Sequence, residues 1–381
     1  MKPATEAELA EIIRAARGGL CLQGGGTRRM GSGSGETLDL SDLTGISLYE
    51  PGALTLVAGA GTPLAEVEQV LAAEGQRLSF EVPDWRALLG RGGVSTIGGV
   101  VAANASGPRR VQAGACRDSL IGLRFVDGSG QVIRNGGRVM KNVTGYDLVK
   151  LLAGSCGTLG ALTEVAFKVL PIPETEATLA LEVADDKAAV TVMAAALRSP
   201  FEVTGAGFIP QAGRLGGKVL LRIEGFEKSV SYRAERLAQA LSAHGVSEIH
   251  LAMASAGLWR QIRDVKAFRD HDFVARLSLR PSSAPEVLET IRGSQPAEYM
   301  LDWGGGLIWI GSSVENAAER LTMLQGLMAR QGGHATLVKG PDALFANGGG
   351  FQPEISAIAA LTRGLRARFD PRGILNPGLM G

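Results

Sequence analysis

The stretch between residues 91 and 169 is the most informative part of this 381-residue chain. Clusters of glycine, serine, threonine and asparagine separate short apolar runs there, at Gly92–Gly99, Asn104–Gly107, Gly145–Asp147 and Gly157–Gly160. Such loops are almost free of acidic residues, and glycine leaves the backbone N–H groups uncovered, so a phosphate or a flat ring can approach them closely. The pattern indicates a binding site for a nucleotide cofactor.

The composition is that of an ordinary globular protein, with 45% hydrophobic and 20% charged residues. A chain of this length is longer than most domains that have a single hydrophobic core, which predicts two or three domains. Lys and Arg number 39 against 38 Asp and Glu, a formal net charge of +1. The chain therefore has no overall field that would attract nucleic acid, and we expect no nucleic-acid partner.

The three cysteines, Cys21, Cys116 and Cys156, lack the spacing and number of a zinc or iron–sulfur site. We expect no metal site, and three buried or half-buried thiols in a reducing compartment. The first residues lack the pattern of a signal peptide, and no window reaches transmembrane length. The expectation is a cytoplasmic protein that does not insert into a membrane directly and reaches one only through partners.

Apolar periodicity predicts alternating helices and strands in the first 170 residues. Thr5 and Glu8 form a capping box at the start of the first helix. The other elements predicted are a strand over 20–22 that runs into a glycine turn, a strand and helix over 53–75, a hairpin over 120–133, a short helix over 146–153 and a strand over 162–170. Pro171 and Pro173 then predict a linker.

The element order changes after this linker. Strands and helices over 178–243 follow the order β-α-β-β-α, and those over 273–338 follow β-α-β-β-α-β. Two such units predict a pair of split β-α-β layers that form one antiparallel sheet backed by helices. A last amphipathic helix is predicted over 355–369.

The common nucleotide-binding fingerprints are missing. The dinucleotide motif G-x-G-x-x-G comes nearest at Gly59–Leu64, where the last glycine is absent and Pro63 opens a helix instead. The P-loop motif does not occur. The sequence therefore disfavours both a Rossmann domain and a P-loop nucleotidase.

Several motifs, taken in order, resemble those of the FAD-linked oxidoreductases with a vanillyl-alcohol-oxidase (PCMH-type) FAD domain. The motifs are Gln23-Gly24-Gly25-Gly26-Thr27, Ser95-Thr96-Ile97-Gly98-Gly99, Asn104 with Gly107, Arg117–Gly122, Gly157–Gly160 leading into Thr163-Glu164-Val165, and the tail Phe369–Gly378. The resemblance implies an α+β fold. It places an FAD domain of two α/β subdomains at 1–173, a cap domain with an antiparallel sheet of split β-α-β units at 174–345, and a segment returning to the FAD domain at 346–381.

Within that family, four further motifs look most like the FAD-binding subunits of glycolate oxidase (glycolate dehydrogenase). They are Pro108-Arg109-Arg110, Lys141–Leu148, Leu301–Gly305 and Gly333–Thr336. Such subunits work beside a second FAD-containing subunit and an iron–sulfur subunit. The resemblance implies oxidation of glycolate, a small 2-hydroxy acid, to glyoxylate, with electrons passed through the flavin to the iron–sulfur partner. Two alternatives stay open: a self-sufficient flavin dehydrogenase for another 2-hydroxy acid or alcohol, and a non-catalytic FAD-binding assembly subunit.

The resemblance also implies the residues that bind FAD. Backbone donors to the pyrophosphate are Gly24, Gly25, Gly26 and Thr27, and a second loop for phosphate and ribityl groups comprises Ser95, Thr96, Gly98 and Gly99. Asn104 and Gly107 are expected near the flavin, and Gly157, Gly160 and the backbone of Thr163 along the adenosine half. For each single glycine, a tight turn is the alternative.

Attachment of the flavin is expected to be non-covalent. Some relatives tether FAD through a histidine of the FAD domain, but the first histidine here is His244, well past the linker. Cys116 is the other candidate for a covalent bond, and a small half-buried residue beside Arg117 is the favoured interpretation.

The candidates for catalysis are fewer. Relatives that oxidise 2-hydroxy acids carry a histidine-rich cluster in the cap, where this chain has only His334, interpreted either as strand-edge packing or as a neighbour of the flavin. Arg109 can hold a substrate carboxylate, a partner or the FAD phosphates, and Tyr146 either shapes the flavin pocket or packs in the core. His244 and His250 are expected on the surface, and His271 in a solvated turn.

Overall fold

The computed structural model describes residues 1–31, 33–137, 146–211, 213, 215–295 and 297–380. Within them, helices α1 to α13 span Glu6–Ala15, Leu64–Ala73, Arg86–Leu89, Ile97–Ala102, Arg110–Ala113, Cys116–Ser119, Leu148–Leu152, Asp186–Leu197, Glu227–Ala240, Ala252–Arg263, Ala284–Ser294, Ala317–Gln331 and Ser356–Phe369. Strands β1 to β16 span Leu20–Gln23, Glu36–Asp39, Ile46–Glu50, Thr55–Gly59, Gln76–Leu78, Leu120–Val126, Val132–Gly136, Ala161–Pro171, Thr175–Val183, Val203–Pro210, Gly217–Gly225, Ser247–Leu251, Phe273–Ser278, Glu298–Asp302, Leu307–Ser312 and His334–Lys339.

The first half of the chain forms two sheets. Strands β1 and β2 pair in parallel, and the larger sheet has the order β3-β4-β8-β6-β7, with β5 also pairing to β8. The predicted hairpin is present as β6 and β7, and the strand predicted over 162–170 is the central strand β8, whose apolar residues are buried on both faces. The predicted cap of α1 is also confirmed, since the Thr5 hydroxyl accepts a hydrogen bond from the backbone N–H of Glu8 at 3.2 Å.

The second half forms one eight-stranded sheet with the order β12-β9-β11-β10-β14-β15-β13-β16, in which every neighbouring pair is antiparallel. Two β-α-β-β-α-β units build this sheet and meet through their second strands, β10 and β14. The predicted antiparallel sheet is thus confirmed. The sequence analysis missed β12, which completes the first unit at an edge of the sheet.

Helices α8, α9, α11 and α12 cover one face of the large sheet and form the main core with it. The opposite face packs against α10 and against Trp85 and Leu88 of the first half. This second contact places the large sheet as a cap over the glycine-rich loops. Among the described residues, no helix is both long enough and apolar enough to cross a membrane.

A buried cluster of ion pairs joins the cap sheet to the first half. Glu81, in the loop after β5, accepts hydrogen bonds from Arg222 of β11 at 2.7 and 3.0 Å. Glu224, also on β11, pairs with Arg109 and, at 3.0 Å, with Arg77. Burial alone would raise the pKa of Glu224, but Arg222, Arg109 and Arg77 together lower that pKa to about 2. The two carboxylates are therefore ionised and matched to the arginines.

The tail of the chain returns to β1. The backbone N–H of Leu20 donates to the carbonyl of Ile374 at 2.7 Å, and the N–H of Asn376 donates to the carbonyl of Leu20 at 2.8 Å. The Asn376 side chain accepts from the N–H of Leu22 and donates to the carbonyl of Cys156, both at 2.8 Å. Asn376 therefore fixes two segments of the first half relative to each other.

Candidate cofactor site

A cleft lies between the glycine-rich loops and the cap sheet. Three arginines and no carboxylate line it within the part of the chain that the structure describes, so the cleft suits an anionic ligand. The residues that line it are Leu22, Gln23, Gly24, Gly25, Gly26, Thr27, Arg28, Arg29, Met30, Gly33, Leu40, Ala60, Trp85, Thr96, Gly98, Gly99, Ala102, Ala103, Cys156, Gly157, Gly160, Ala161, Leu162, Arg276, Asn376 and Leu379.

The first wall of the cleft is the turn that follows β1. The backbone N–H groups of residues 24–27 donate to no acceptor among the described residues. Gly25 lies against the next loop so closely that a Cβ would overlap the carbonyl oxygen of Val94. Gly26 has a positive φ of 67°, which favours glycine. The turn thus presents uncovered donors to the cleft, as an anion-binding loop requires.

The second wall is the loop that leads into α4. The Thr96 hydroxyl accepts from the N–H of Gly99 at 3.3 Å and so caps α4. Gly98 packs on Ala60, and a Cβ at Gly98 would lie 2.6 Å from the Cβ of Ala60. The position beside the cleft is therefore restricted to glycine, and a bulkier residue would displace this wall.

The third wall is the turn before β8. Gly157 and Gly160 line the cleft there, next to Cys156. A Cβ at Gly157 would lie 2.9 Å from the side-chain nitrogen of Asn376. The turn and the tail are consequently packed without space between them, and both contribute to the same side of the cleft.

The cap sheet closes the end of the cleft near Cys156 with Arg276 of β13. Its guanidinium lines the cleft and makes no hydrogen bond or ion pair with any residue that the structure describes. Burial lowers the pKa of Arg276 below its usual value, although arginine keeps its charge at neutral pH. Trp85 lies at the same end and packs edge-on against Trp309 of the cap sheet, with the ring centroids 5.9 Å apart. This end therefore offers one positive charge beside aromatic surface.

Comparison with known proteins identifies the cofactor of this chain. A family model described as an FAD binding domain matches residues 1–136. Glycolate oxidase subunit GlcE of Escherichia coli K12 is 34% identical over 349 residues, which are 91% of this chain and 87% of that relative. The chain belongs to the family of glycolate oxidase subunit GlcE. It is an FAD-dependent oxidoreductase of the class that acts on CH–OH groups, as the sequence motifs predicted.

Two further comparisons concern the first half of the chain and the fold. Glycolate oxidase subunit GlcD of Bacillus subtilis is 37% identical over 176 residues, which are 46% of this chain and 34% of that relative. The solved structure of alkyldihydroxyacetonephosphate synthase superimposes with a TM-score of 0.69 at 16% identity, covering 99% of this chain and 76% of that one. The second likeness shows the fold and confirms the expected α+β architecture.

The cleft brings together most of the residues that the motifs indicated for FAD. Those that line it are Gly24, Gly25, Gly26, Thr27, Thr96, Gly98, Gly99, Gly157 and Gly160. Ser95 is one layer behind, where its hydroxyl accepts from Arg28 at 2.6 Å. Because Arg28 itself lines the cleft, Ser95 positions a cleft residue and does not line the cleft itself.

Besides Ser95, three more of the indicated residues lie outside the lining. The Asn104 side chain accepts from the N–H of Arg117 at 3.1 Å, and the Gly107 carbonyl accepts from the indole of Trp303 at 3.2 Å. The Thr163 carbonyl accepts from the N–H of Ala60 at 2.9 Å, so it is already engaged within the fold. These residues hold neighbouring segments together.

Arg109 is not available to a substrate. It is only 4% exposed and its guanidinium pairs with Glu224 in the cluster between the two halves. Arg110 lies over the ring of Trp303, 4.4 Å from its centroid. The sequence-based interpretation of Arg109 as a carboxylate ligand is therefore wrong, because a carboxylate of the protein already occupies it.

The other catalytic candidates also lie outside the cleft lining. Tyr146 is 88% exposed, and His334 is an exposed residue at the start of β16. The motif residues 141–145 lie outside the described residues. His271 is not in a solvated turn as expected, because its ring packs edge-on against Phe268 with centroids 5.5 Å apart, and its Nδ1 atom is buried without a partner. His244 is exposed and His250 is half-buried on the edge strand β12.

The cysteines agree with non-covalent binding of FAD. Cys116 is fully buried outside the cleft lining, and burial raises the pKa of its thiol far above the usual range. Cys156 does line the cleft, but burial raises the pKa of its thiol to about 11. A protonated thiol is a poor nucleophile. The described lining contains no histidine.

Sequence reasoning missed several of the lining residues. Arg28 directly follows the first glycine turn, and burial lowers its pKa to about 10. Asn376 was part of a quoted motif but had no assigned role. Arg276 was not among the predicted site residues, although a charged residue inside the apolar run of β13 is a signal that could have indicated it.

Proposed function

We propose that this chain is the FAD-binding subunit of a multi-subunit glycolate (2-hydroxy acid) dehydrogenase. It oxidises glycolate to glyoxylate and passes the electrons through its flavin to an iron–sulfur partner, beside a second FAD-containing subunit. The observation that carries the proposal is the cleft itself, in which the uncovered backbone donors of residues 24–27 and the unpaired Arg276 share one lining without carboxylates. The likeness to GlcE and GlcD supports the choice of reaction.

The lining fits FAD. Residues 24–27 would hold the phosphates, because their backbone N–H groups are uncovered in a cleft without carboxylates. The loop at Thr96–Gly99 would flank the phosphates with the Thr96 hydroxyl, since the N–H groups of residues 97–99 already donate within the fold. The turn at Gly157–Gly160 would hold the adenosine half. The ring system would then reach the end of the cleft that Trp85 and the cap sheet close. Bound there, FAD supplies the capacity to accept two electrons from a CH–OH group.

Arg276 would bind the substrate carboxylate. A guanidinium offers two parallel N–H donors that match the two oxygens of a carboxylate, and no protein carboxylate among the described residues competes for them. Because Arg276 belongs to the cap and the phosphate loops belong to the first half, the buried ion-pair cluster between the halves sets their separation. The chain thereby fixes where a small acid lies relative to the cofactor.

One observation favours an alternative. The described lining holds neither a histidine nor a carboxylate that could take the proton of the substrate hydroxyl. A non-catalytic subunit, whose FAD stabilises the assembly, is consistent with such a lining. A self-sufficient dehydrogenase for another 2-hydroxy acid or alcohol would need such a proton acceptor in the chain itself, so this lining gives it no support.

A matched pair of variants in the assembled enzyme tests the proposal. Gly98→Ala brings a Cβ within 2.6 Å of Ala60, whereas Gly257→Ala on α10 meets nothing within 4 Å. We expect Gly98→Ala to lose FAD from this chain and most of the glycolate-dependent reduction of an artificial dye, and Gly257→Ala to keep both. Full activity of an assembly whose Gly98→Ala chain has lost its FAD would show that this cofactor does not take part in turnover.

A further inference from the structure

The guanidinium of Arg28 joins three loops at the cleft. Its Nη1 atom donates to the Ser95 hydroxyl at 2.6 Å and to the Thr27 hydroxyl at 3.3 Å. Its Nη2 atom donates to the carbonyl of Pro83 at 2.7 Å. Arg28 therefore connects the turn that follows β1, the loop that leads into α4 and the loop between β5 and α3.

The positive charge of Arg28 has no counter-charge among the residues that the structure describes. All of its hydrogen-bond acceptors are uncharged oxygens, and no carboxylate forms an ion pair with it. Asp84 is near enough to act on Arg28 electrostatically, but the Asp84 carboxylate pairs with Arg86 at 2.7 Å. A charge that is removed from water without an opposite charge beside it costs free energy. The site is therefore incomplete without an anion.

Two N–H groups of Arg28 also lack an acceptor. A guanidinium carries five N–H donors, and the hydrogen bonds to Ser95, Thr27 and Pro83 use three of them. The Nε atom is buried, with no partner in the described part of the chain. Arg28 lines the cleft beside residues 24–27, whose backbone N–H groups are uncovered. An anion bound by those groups would lie next to the guanidinium and supply the missing charge.

Pro83 belongs to a loop that also contacts the cap. The next residue, Asp84, donates its backbone N–H to the side chain of Asp264 in the cap at 3.0 Å. The Trp85 ring packs edge-on against Trp309 of the cap sheet. A ligand bound beside the guanidinium is therefore linked through this loop to the position of the cap.

We propose that Arg28 is a positioning residue that binds the diphosphate of FAD, which is the counter-charge missing beside it, and links cofactor binding to the seating of the cap through the Pro83 carbonyl. The inference rests on the part of the proposed function that places the phosphates at residues 24–27. It adds the residue that recognises their charge and a connection between the two halves of the chain that depends on the cofactor.

The first test measures binding to the FAD-free chain. Competition with FAD gives the dissociation constants of ADP, which carries a diphosphate, and of adenosine, which carries none. Arg28→Gln removes the charge but keeps a donor for the neutral oxygens, and Arg17→Gln makes the same change at an exposed arginine outside the cleft lining. We expect Arg28→Gln to weaken the binding of FAD and ADP about tenfold or more and to leave that of adenosine within about twofold. Arg28→Lys should recover part of the loss, and Arg17→Gln should change none of these constants.

The second test measures the link to the cap by hydrogen exchange of the backbone N–H groups of residues 84–89. In the unaltered chain, saturating FAD should slow this exchange. In Arg28→Gln saturated with FAD, the exchange should be slowed less, because the connection from the phosphates to Pro83 is weakened.

Three results would overturn the proposal. Unchanged FAD affinity of Arg28→Gln would show that the charge of Arg28 is not used. Equal weakening of ADP and adenosine would show that Arg28 only supports the shape of the cleft, and equal slowing of hydrogen exchange would remove the link to the cap. Bleaching of the flavin by glycolate at saturating FAD is recorded for the same samples. That readout reports on the proposed reaction, so its failure and a failure of the role of Arg28 are distinguishable.

Discussion

Asp302 makes the stability of this protein depend on pH in an unusual direction. The carboxyl lies at the end of β14, is 2% exposed and accepts a hydrogen bond from the N–H of Trp303 at 2.7 Å. Burial, assisted by the negative charge of Glu81, raises its pKa to about 7, against the opposing effects of the Trp303 N–H and Arg222. The folded protein therefore keeps a proton on Asp302 that the unfolded chain releases near pH 4.

The magnitude follows from the difference between these two pKa values. Below about pH 4 the Asp302 carboxyl is protonated in both the folded and the unfolded state, so its ionisation does not change the free energy of unfolding. As the pH rises to about 7, the unfolded state holds fewer protons than the folded one, so stability falls by a total of about 4 kcal/mol. About half of that loss, roughly 2 kcal/mol, falls between pH 5.5 and pH 8.5.

The Asp302→Asn variant removes this dependence while keeping an oxygen that can accept from Trp303. Urea unfolding of the variant and the unaltered protein near pH 5.5 and near pH 8.5 gives the difference in the free energy of unfolding at each pH. We expect the free energy of unfolding of the variant, relative to that of the unaltered protein, to be about 2 kcal/mol higher near pH 8.5 than near pH 5.5. Asp342→Asn, at an exposed carboxyl, should give no such gain. Parallel pH dependence of Asp302→Asn and the unaltered protein would refute the reasoning.

Three other predictions concern the cleft and its frame. Gly25→Ala should abolish FAD binding, because the new methyl group overlaps the Val94 carbonyl; the flavin absorbance per chain measures this, and Gly52→Ala, which meets nothing within 4 Å, is the control. Glu224→Gln should lower the free energy of unfolding by about 3–5 kcal/mol, because it leaves Arg109 buried without its carboxylate. Chemical denaturation measures this loss, and an unchanged free energy of unfolding would contradict the prediction. Arg276→Gln should weaken the binding of oxalate, read from its perturbation of the flavin spectrum, about tenfold or more. Arg276→Lys should be less affected, and both variants should keep their FAD content. Loss of FAD itself would mean that Arg276 binds the cofactor instead.

The sequence was sufficient for features that depend on local pattern. The alternation of apolar residues and the turn chemistry located the hairpin of β6 and β7 and the β-α-β-β-α order that the two units share, because both signals lie within a few residues. The glycine motifs located three walls of the cleft for the same reason. The edge strand β12 was missed because one side of its ladder is unpaired, so the strand lacks a clear buried pattern.

Features that depend on distant pairing were not accessible. The role of Arg109 is set by Glu224, which is 115 residues away in the sequence. Arg276 faces the cleft because β13 pairs with β15 and β16 in a register that no local pattern reveals. His271 was assigned to a solvated turn from its acidic neighbours in the chain, whereas in the fold its ring packs against Phe268.

The most direct test of the account is the visible spectrum of the purified chain, recorded without oxygen before and after addition of glycolate. The account predicts a flavin spectrum that glycolate bleaches, because the cleft holds FAD and Arg276 holds the acid beside it. A colourless protein would contradict the assignment of the cleft to FAD. A flavin spectrum that glycolate leaves unchanged would contradict oxidation of glycolate by this chain.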